Sequence, residues 1–150
     1  MSKFTVKAVV KYPVEEVFEN FILLAREPFN KFNIDNPIGA KSKRIARKSK
    51  QGNVYMETVV TDYKKNELYE TKTELLSSKY IGRYEFRDLG NEECEITLTE
   101  SQELYGIINK IGFVFQSVTA RKKLKKKLDN AIQAVEDKII KERNKKSNKK

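Results

Sequence analysis

The chain has 150 residues, with 31 Lys and Arg against 21 Asp and Glu and a net charge of +10. Its length suits one domain with a sizeable core, and its single cysteine, Cys94, excludes an intramolecular disulfide. It has no histidine, which excludes Ser–His and Cys–His nucleophile systems and removes the commonest metal ligand.

The first 22 residues predict a strand that passes directly into a helix. Residues 4–10 alternate between apolar and polar types, as in a half-buried strand. Pro13 suits the first turn of a helix, and Glu15 and Glu16 follow where the helix dipole favours acids. The segment 23–33 adds at most a short second helix, interrupted by a proline. The apolar residues at helical spacing are Val14, Val17, Phe18, Phe21 and Ile22.

From residue 40 to residue 104 the pattern changes to strands. Turn-forming residues at 50–53, 63–66 and 89–91 separate segments that suit antiparallel neighbours joined by short hairpins. In "CEITLTESQEL" apolar and polar residues alternate, giving one dry and one wet face. With the first strand, the sequence predicts a curved antiparallel sheet of about six to seven strands.

After Gly106 the apolar period becomes helical, which predicts a long C-terminal helix. Residues 141–150 have no apolar periodicity and are expected to form a basic, disordered tail. We therefore expect a single α+β domain over residues 1–140. The apolar positions of the helix are Ile111, Val114, Phe115 and Val118, followed by Leu124, Leu128, Ile132, Val135 and Ile139.

This order of elements resembles the START-like, Bet v 1-like superfamily (SRPBCC), whose fold is the helix-grip. "VVKYPVEEVFENF" resembles its entry strand and proline-led helix, "YEFRDLGNEECEITLTESQEL" its late hairpin, and "LKKKLDNAIQAVEDKI" its closing helix. The resemblance implies a curved sheet wrapped around the C-terminal helix, with one or two short helices after strand 1. It also implies binding of a hydrophobic small molecule or lipid, although some members are cyclases or hydrolases and others bind partner proteins.

The strand faces predicted to point inward mix apolar side chains with hydroxyls, which suits a ligand pocket but equally suits an ordinary core. In the segment after the first helix, Phe29 and Phe32 are candidates either for a lid over the pocket or for side chains that fill the core. The predicted ligand-binding residues are Phe21, Phe29, Phe32, Met56, Thr58, Thr71, Thr73, Tyr84, Phe86, Leu98, Glu100, Phe115, Val118 and Arg121.

Strand parity assigns a specific position to Glu100. It continues the dry face of Ile96 and Leu98, so in a regular strand it points into the space between sheet and helix. A buried carboxylate needs a partner, and Arg121 lies on the same helix stripe as Leu128, which makes it a candidate for an ion pair that orients a polar head group. The alternative is that Glu100 lies at a flared strand end and Arg121 extends into water.

The stretch "RKKLKKKLDNAI" at 121–132 accounts for much of the positive charge, and residues 121–150 hold 13 of the 31 Lys and Arg. No aromatics are interleaved among its cations, as stacking on bases would favour, and its apolar side is already assigned to the sheet. We favour a solvated helix face over contact with a polyanion, anionic lipid or protein partner. The basic surface residues are Lys122, Lys123, Lys126 and Lys127.

These patterns favour a non-catalytic protein that binds a hydrophobic or amphipathic small molecule or lipid between the sheet and the C-terminal helix. One alternative is an interaction protein whose basic helix contacts RNA, anionic lipid or an acidic protein. Another is a small cofactor-free enzyme of the polyketide cyclase type. The sequence carries no catalytic, metal-ligand or phosphate-loop motif, so no cofactor is expected. It has no signal core and no run of 18 apolar residues, which predicts a cytoplasmic, bacterial protein without a membrane span.

Overall fold

The computed structural model describes residues 2–76, 78–103 and 110–148, and the side chains of 3–76, 78–102 and 119–148. Within these ranges the structure has six strands and two helices. They are, in chain order, β1 (Ser2–Val10), α1 (Val14–Ala25), β2 (Lys41–Arg47), β3 (Val54–Lys64), β4 (Leu68–Leu75), β5 (Ser78–Gly90), β6 (Glu93–Glu103) and α2 (Lys110–Asn148).

The six strands form one antiparallel sheet in the order β1-β6-β5-β4-β3-β2. From β2 to β6, each strand pairs with the next strand along the chain, and β1 pairs with β6 at the edge of the sheet. Asn66 and Asn91 lie in the β3–β4 and β5–β6 turns with φ of 64° and 53°, a left-handed conformation that asparagine tolerates better than most residues. The predicted hairpin sheet is confirmed, and so is the α+β class.

Helix α1 begins immediately after Pro13, which has an extended backbone and serves as the N-cap residue. Its buried side chains include Val17, Phe18 and Phe21, which face the sheet. The chain then leaves the helix through a turn, in which the Phe29 amide donates to the carbonyl of Arg26. No second helix occurs between α1 and β2 in the described chain, so of the one or two short helices expected after strand 1, one is present.

Helix α2 packs against β1, β6 and α1. The apolar edge predicted from the sequence is the edge that is buried, with Leu128 and Ile139 fully inaccessible and Val135 at 1% exposure. These side chains join the same hydrophobic cluster as Ile96 and Leu98 of β6. No described helix combines the length and the apolar character needed to cross a membrane.

The helix extends further than the sequence analysis predicts. Residues 141–148 belong to α2, whereas the sequence analysis expects a disordered tail from residue 141. Arg143 explains the difference, because its Nε and Nη2 donate to Oε1 and Oε2 of Glu16 at 2.7 and 2.8 Å. Its guanidinium also lies 4.9 Å from the ring centroid of Tyr12. Apolar periodicity does not register an ion pair of this kind.

The bidentate pair predicts a pH-dependent contribution to stability. The hydrogen bond and charge of Arg143 hold the pKa of Glu16 below its usual value, with desolvation acting in the opposite direction. A lowered folded-state pKa stabilises the fold above the unfolded pKa, about 4.3, and the stabilisation is lost as the pH falls through the folded value. We expect Arg143→Gln to lower the melting temperature at pH 7, with the difference from wild type shrinking as the pH falls below about 4.

Thermal unfolding of Arg143→Gln, wild type and Lys141→Gln between pH 2.5 and pH 7 tests this expectation. Lys141 is a neighbouring exposed cation on the same helix, so it controls for the loss of one positive charge. An equal difference between Arg143→Gln and wild type at every pH would contradict the assignment.

Candidate ligand-binding site

A groove with a volume of about 520 Å³ lies between the sheet, α1 and α2. Its lining comes from α1, the α1–β2 connection, β2, the inward faces of β3, β4 and β5, and α2. The residues that line the groove are Phe21, Leu24, Ala25, Pro28, Phe29, Ser42, Arg44, Met56, Thr58, Tyr69, Thr71, Tyr84, Lys127, Ala131, Ala134 and Val135.

Where α2 borders the groove, it presents short side chains. Ala131 and Ala134 line the space, whereas the longer Leu128 and Ile132 of the same helix are buried in the core. A methyl group leaves unfilled the volume that a leucine would occupy. The buried edge of α2 therefore anchors the helix, and its alanines leave the groove beside it.

An aromatic cluster forms the apolar end of the groove. The ring of Phe21 lies with its centroid 5.7 Å from Tyr69, 4.7 Å from Tyr84 and 5.2 Å from Phe86. The Phe86 ring also makes an edge contact with Phe18 at 5.0 Å. Such tilted and edge-to-face pairs are favourable beyond the area they bury, so this end of the groove is rigid and apolar.

Two tyrosine hydroxyls belong to the groove. Burial, and secondarily the negative charge of Glu100, raises the pKa of Tyr84 to about 12. Burial also raises the pKa of Tyr69, so both phenols are protonated and able to donate at neutral pH. Neither hydroxyl is hydrogen-bonded to another group in the ranges that the structure describes, which leaves both for a ligand.

Two other hydroxyls of the groove, those of Thr58 and Ser42, have hydrogen-bond partners. Thr58 and Thr73 are opposite each other on β3 and β4, with their Oγ1 atoms 2.9 Å apart. Ser42 donates from Oγ to the carbonyl of Pro28 at 2.9 Å. The bond from Ser42 ties the connection between α1 and β2 to the sheet, and the bond between Thr58 and Thr73 joins β3 to β4.

Glu100 faces α2, but its partner is not the predicted one. Its Oε2 accepts from Nζ of Lys127 at 3.2 Å, and the carboxylate side chain is 22% exposed. Arg121 is exposed, as in the alternative interpretation, and Glu100 pairs with Lys127 instead of with the candidate Arg121. The ion pair lies in a second, more polar cavity of about 370 Å³ that adjoins the groove through Lys127, and Gln102 and Lys123 also line it.

Six of the predicted ligand-binding residues line the groove, namely Phe21, Phe29, Met56, Thr58, Thr71 and Tyr84. Phe32 contacts Phe29 with ring centroids 5.4 Å apart, Thr73 supports Thr58, and Phe86 and Leu98 belong to the core. The side chains of Phe115 and Val118 lie outside those that the structure describes. These positions remain predictions as ligand contacts.

Sequence reasoning missed several lining residues. Arg44 is not among the residues predicted from the sequence to bind a ligand, yet it lines the groove from β2. Ala131 and Ala134 carry no signal in an analysis that searches for large apolar or reactive side chains. The available clue was that Ala131 and Ala134 lie beside the apolar stripe of the predicted helix, next to Val135.

The four lysines of the basic patch are all exposed. Lys122 and Lys126 lie on the outer circumference of α2, as a solvated helix face requires, whereas Lys123 also lines the polar cavity beside Glu100. Lys127 differs, because it pairs with Glu100 and borders the groove. Among the described residues, no group of three or more Cys, Asp or Glu side chains is placed to hold a metal ion.

Comparisons with known proteins agree with this architecture. A family model described as a domain of unknown function, DUF3284, matches residues 4–121. No curated protein sequence matches the chain.

Solved structures with a similar fold include a conserved protein from Geobacillus kaustophilus, which is 19% identical, with a TM-score of 0.59 over 93% of this chain and 96% of that one. A protein of unknown function from Staphylococcus aureus, SA2116, is 12% identical, with a TM-score of 0.62 over 95% and 97% of the two chains. Ara h 8.0201, a Bet v 1 homologue, is 13% identical, with a TM-score of 0.60 over 93% and 98%. The structural similarity shows that these proteins share a fold, and at identities this low it shows no more than the fold. The chain therefore belongs to the DUF3284 family and has the helix-grip fold of Bet v 1-like (SRPBCC) proteins.

Proposed function

We propose that this protein binds a hydrophobic or amphipathic small molecule or a single lipid chain in the groove between the sheet and α2, without catalysis. The observation that carries the proposal is a space of about 520 Å³ with an aromatic end and a few hydroxyls. Small-molecule sites typically have volumes of roughly 300–1,000 Å³ and this mixture of lining groups. Helix-grip proteins typically bind hydrophobic ligands at the corresponding place, which supports the proposal. A lone buried cysteine suits action in the reducing cytoplasm.

Chain length provides a quantitative expectation. Each methylene group transferred from water to an apolar site contributes about 0.8 kcal/mol, which is roughly a fourfold gain in affinity. For a series of straight-chain alcohols, the affinity should rise by about that factor for each added carbon. The increase should stop when the groove is full.

The test is isothermal titration of the purified protein with the alcohols from hexanol to tetradecanol, together with native mass spectrometry for a copurifying ligand. Ala131→Trp places an indole in the groove and should weaken dodecanol binding at least tenfold, or about 1.4 kcal/mol. Asn130→Trp is the matched control, because position 130 is exposed on the same helix, and it should bind as wild type does. Absence of binding by every alcohol, or equal weakening by both variants, would contradict the proposal.

The exposed lysines of α2 favour a second candidate, an interaction protein whose basic helix contacts RNA. Lys122, Lys123 and Lys126 all extend into solvent. Contacts with phosphates release counterions, so binding to a single-stranded RNA should weaken steeply with salt and should be lost when the three lysines become glutamine. RNA binding that is absent at 50 mM salt would exclude this candidate.

A further inference from the structure

The inward face of the sheet changes from apolar to polar along the strands. At one end, Phe86 of β5 is opposite Ile96 of β6, which is opposite Ala8 of β1. Toward the other end, a row of register partners carries hydroxyl or amide groups. The members of this polar row are Ser42, Thr58, Thr73, Tyr80 and Gln102.

Arg44 lies beyond this polar row. It is two residues after Ser42 on the same face of β2, it is opposite Met56, and it lines the groove. No carboxylate within the described parts of the chain forms an ion pair with Arg44. A guanidinium without a carboxylate partner at this end of the groove is well placed to bind an anion in a bidentate manner.

The charged side chains that line the groove are all positive. Arg44 and Lys127 line it, and no Asp or Glu does. Each comes from one of the two cation-rich segments of the chain, since residues 40–50 hold six Lys or Arg and no acid, as do residues 121–127. The fold therefore brings one cation from each segment to the lining of the same groove, where they raise the local concentration of anions.

Lys127 is the weaker of the two anchors. Its ammonium already pairs with Glu100 at 3.2 Å, so an incoming anion would have to share it. Arg44 has no such competitor and is the group expected to discriminate between head groups.

We propose that the ligand is an amphipathic anion, a single alkyl or similarly apolar chain that ends in a carboxylate, sulfate or phosphate. This inference rests on the proposed function and specifies the ligand class. The apolar chain lies against the Phe21 cluster and Val135, and the anionic head lies at the opening against Arg44. Charge complementarity distinguishes this occupant from a neutral or cationic one.

The test compares ligands with the same apolar chain and different heads. Titration calorimetry at pH 7.5 and 20 mM salt, below the aggregation limit of each ligand, measures dodecanoate, dodecanol and dodecyltrimethylammonium. Hydrogen bonds to charged groups contribute more than those between neutral groups, but Arg44 is exposed, so solvent partly screens its charge. We therefore expect dodecanoate to bind about tenfold more tightly than dodecanol, and the cation to bind more weakly than both.

A matched pair of variants assigns the preference to one residue. Arg44→Gln should reduce the preference for dodecanoate over dodecanol, measured on the same variant, to about twofold or less. Lys43→Gln removes the same charge from the adjacent position, whose ammonium lies 4.6 Å over the ring of Tyr55 on the other face of the strand, and it should keep the preference.

The outcomes are separable. If dodecanol binds and dodecanoate binds no more tightly, the anion inference is overturned while the proposed function stands. If neither binds, both fail. A flotation assay with anionic vesicles tests the remaining possibility. If the protein associates with the vesicles but does not bind monomeric dodecanoate, the cations contact a membrane surface and the inference is overturned.

Discussion

Replacing Phe21 with alanine is expected to destabilise the fold by about 3–5 kcal/mol, the usual cost of truncating a buried phenylalanine. Phe21 is 7% exposed and is the central member of the aromatic cluster, with its ring near those of Tyr69, Tyr84 and Phe86. Its removal eliminates these contacts and leaves a cavity between α1 and the sheet that the surrounding strands can fill only in part.

Urea unfolding of the variant and of wild type measures this effect. The control is Tyr55→Ala, which truncates an aromatic side chain that is 46% exposed and should cost roughly 1 kcal/mol or less. A Phe21→Ala protein as stable as Tyr55→Ala would show that α1 does not pack on the sheet as described.

The second large effect is expected for Leu128→Ala on α2. Leu128 has no exposed surface and belongs to the cluster that includes Ile96 and Leu98. Truncation of such a leucine costs about 2–5 kcal/mol. For a chain of this size, we expect the melting temperature to fall by roughly 2–4 °C for each kcal/mol.

Lys126→Ala is the matched control for this substitution. It lies two residues away on the exposed side of the same helix, and changes at such positions are usually within about 0.5 kcal/mol. If thermal unfolding gave equal, small shifts for both variants, the docking of α2 on the sheet would be wrong.

The elements of this fold are predictable from the sequence because each of them separates apolar from polar side chains. Alternation in β6 places Ile96 and Leu98 in the core, and helical spacing places Leu128 and Ile139 there too. Both periods are consequences of local geometry. The predicted sheet, the helix after Pro13 and the buried edge of α2 therefore agree with the structure.

The pairing of distant charges depends on information that periodicity lacks. A helical wheel indicates which side of α2 a residue occupies, but it does not indicate which point of the helix lies over Glu100. At 1.5 Å per residue, Arg121 is displaced by about 9 Å along the axis from Lys127. That displacement separates the predicted partner from the observed one, and the same limitation concealed the Glu16–Arg143 pair.

The groove was only partly predictable for a different reason. Phe21, Thr58 and Tyr84 were identified because inward strand and helix positions can be read from the alternation and spacing of residues. The empty space itself results from the short side chains of Ala131 and Ala134, and missing volume becomes visible only when the elements are assembled.

The most direct test of the central claim is a two-dimensional amide NMR titration of the isotopically labelled protein with dodecanol. The groove predicts saturable shift changes concentrated at its lining residues, including Thr58, Thr71, Ala131 and Val135. It predicts little change at Glu15 and Asp35, which line a separate cavity between α1 and the β3–β4 turn. Changes concentrated at that cavity, or no saturable change at any residue, would contradict a ligand site between the sheet and α2.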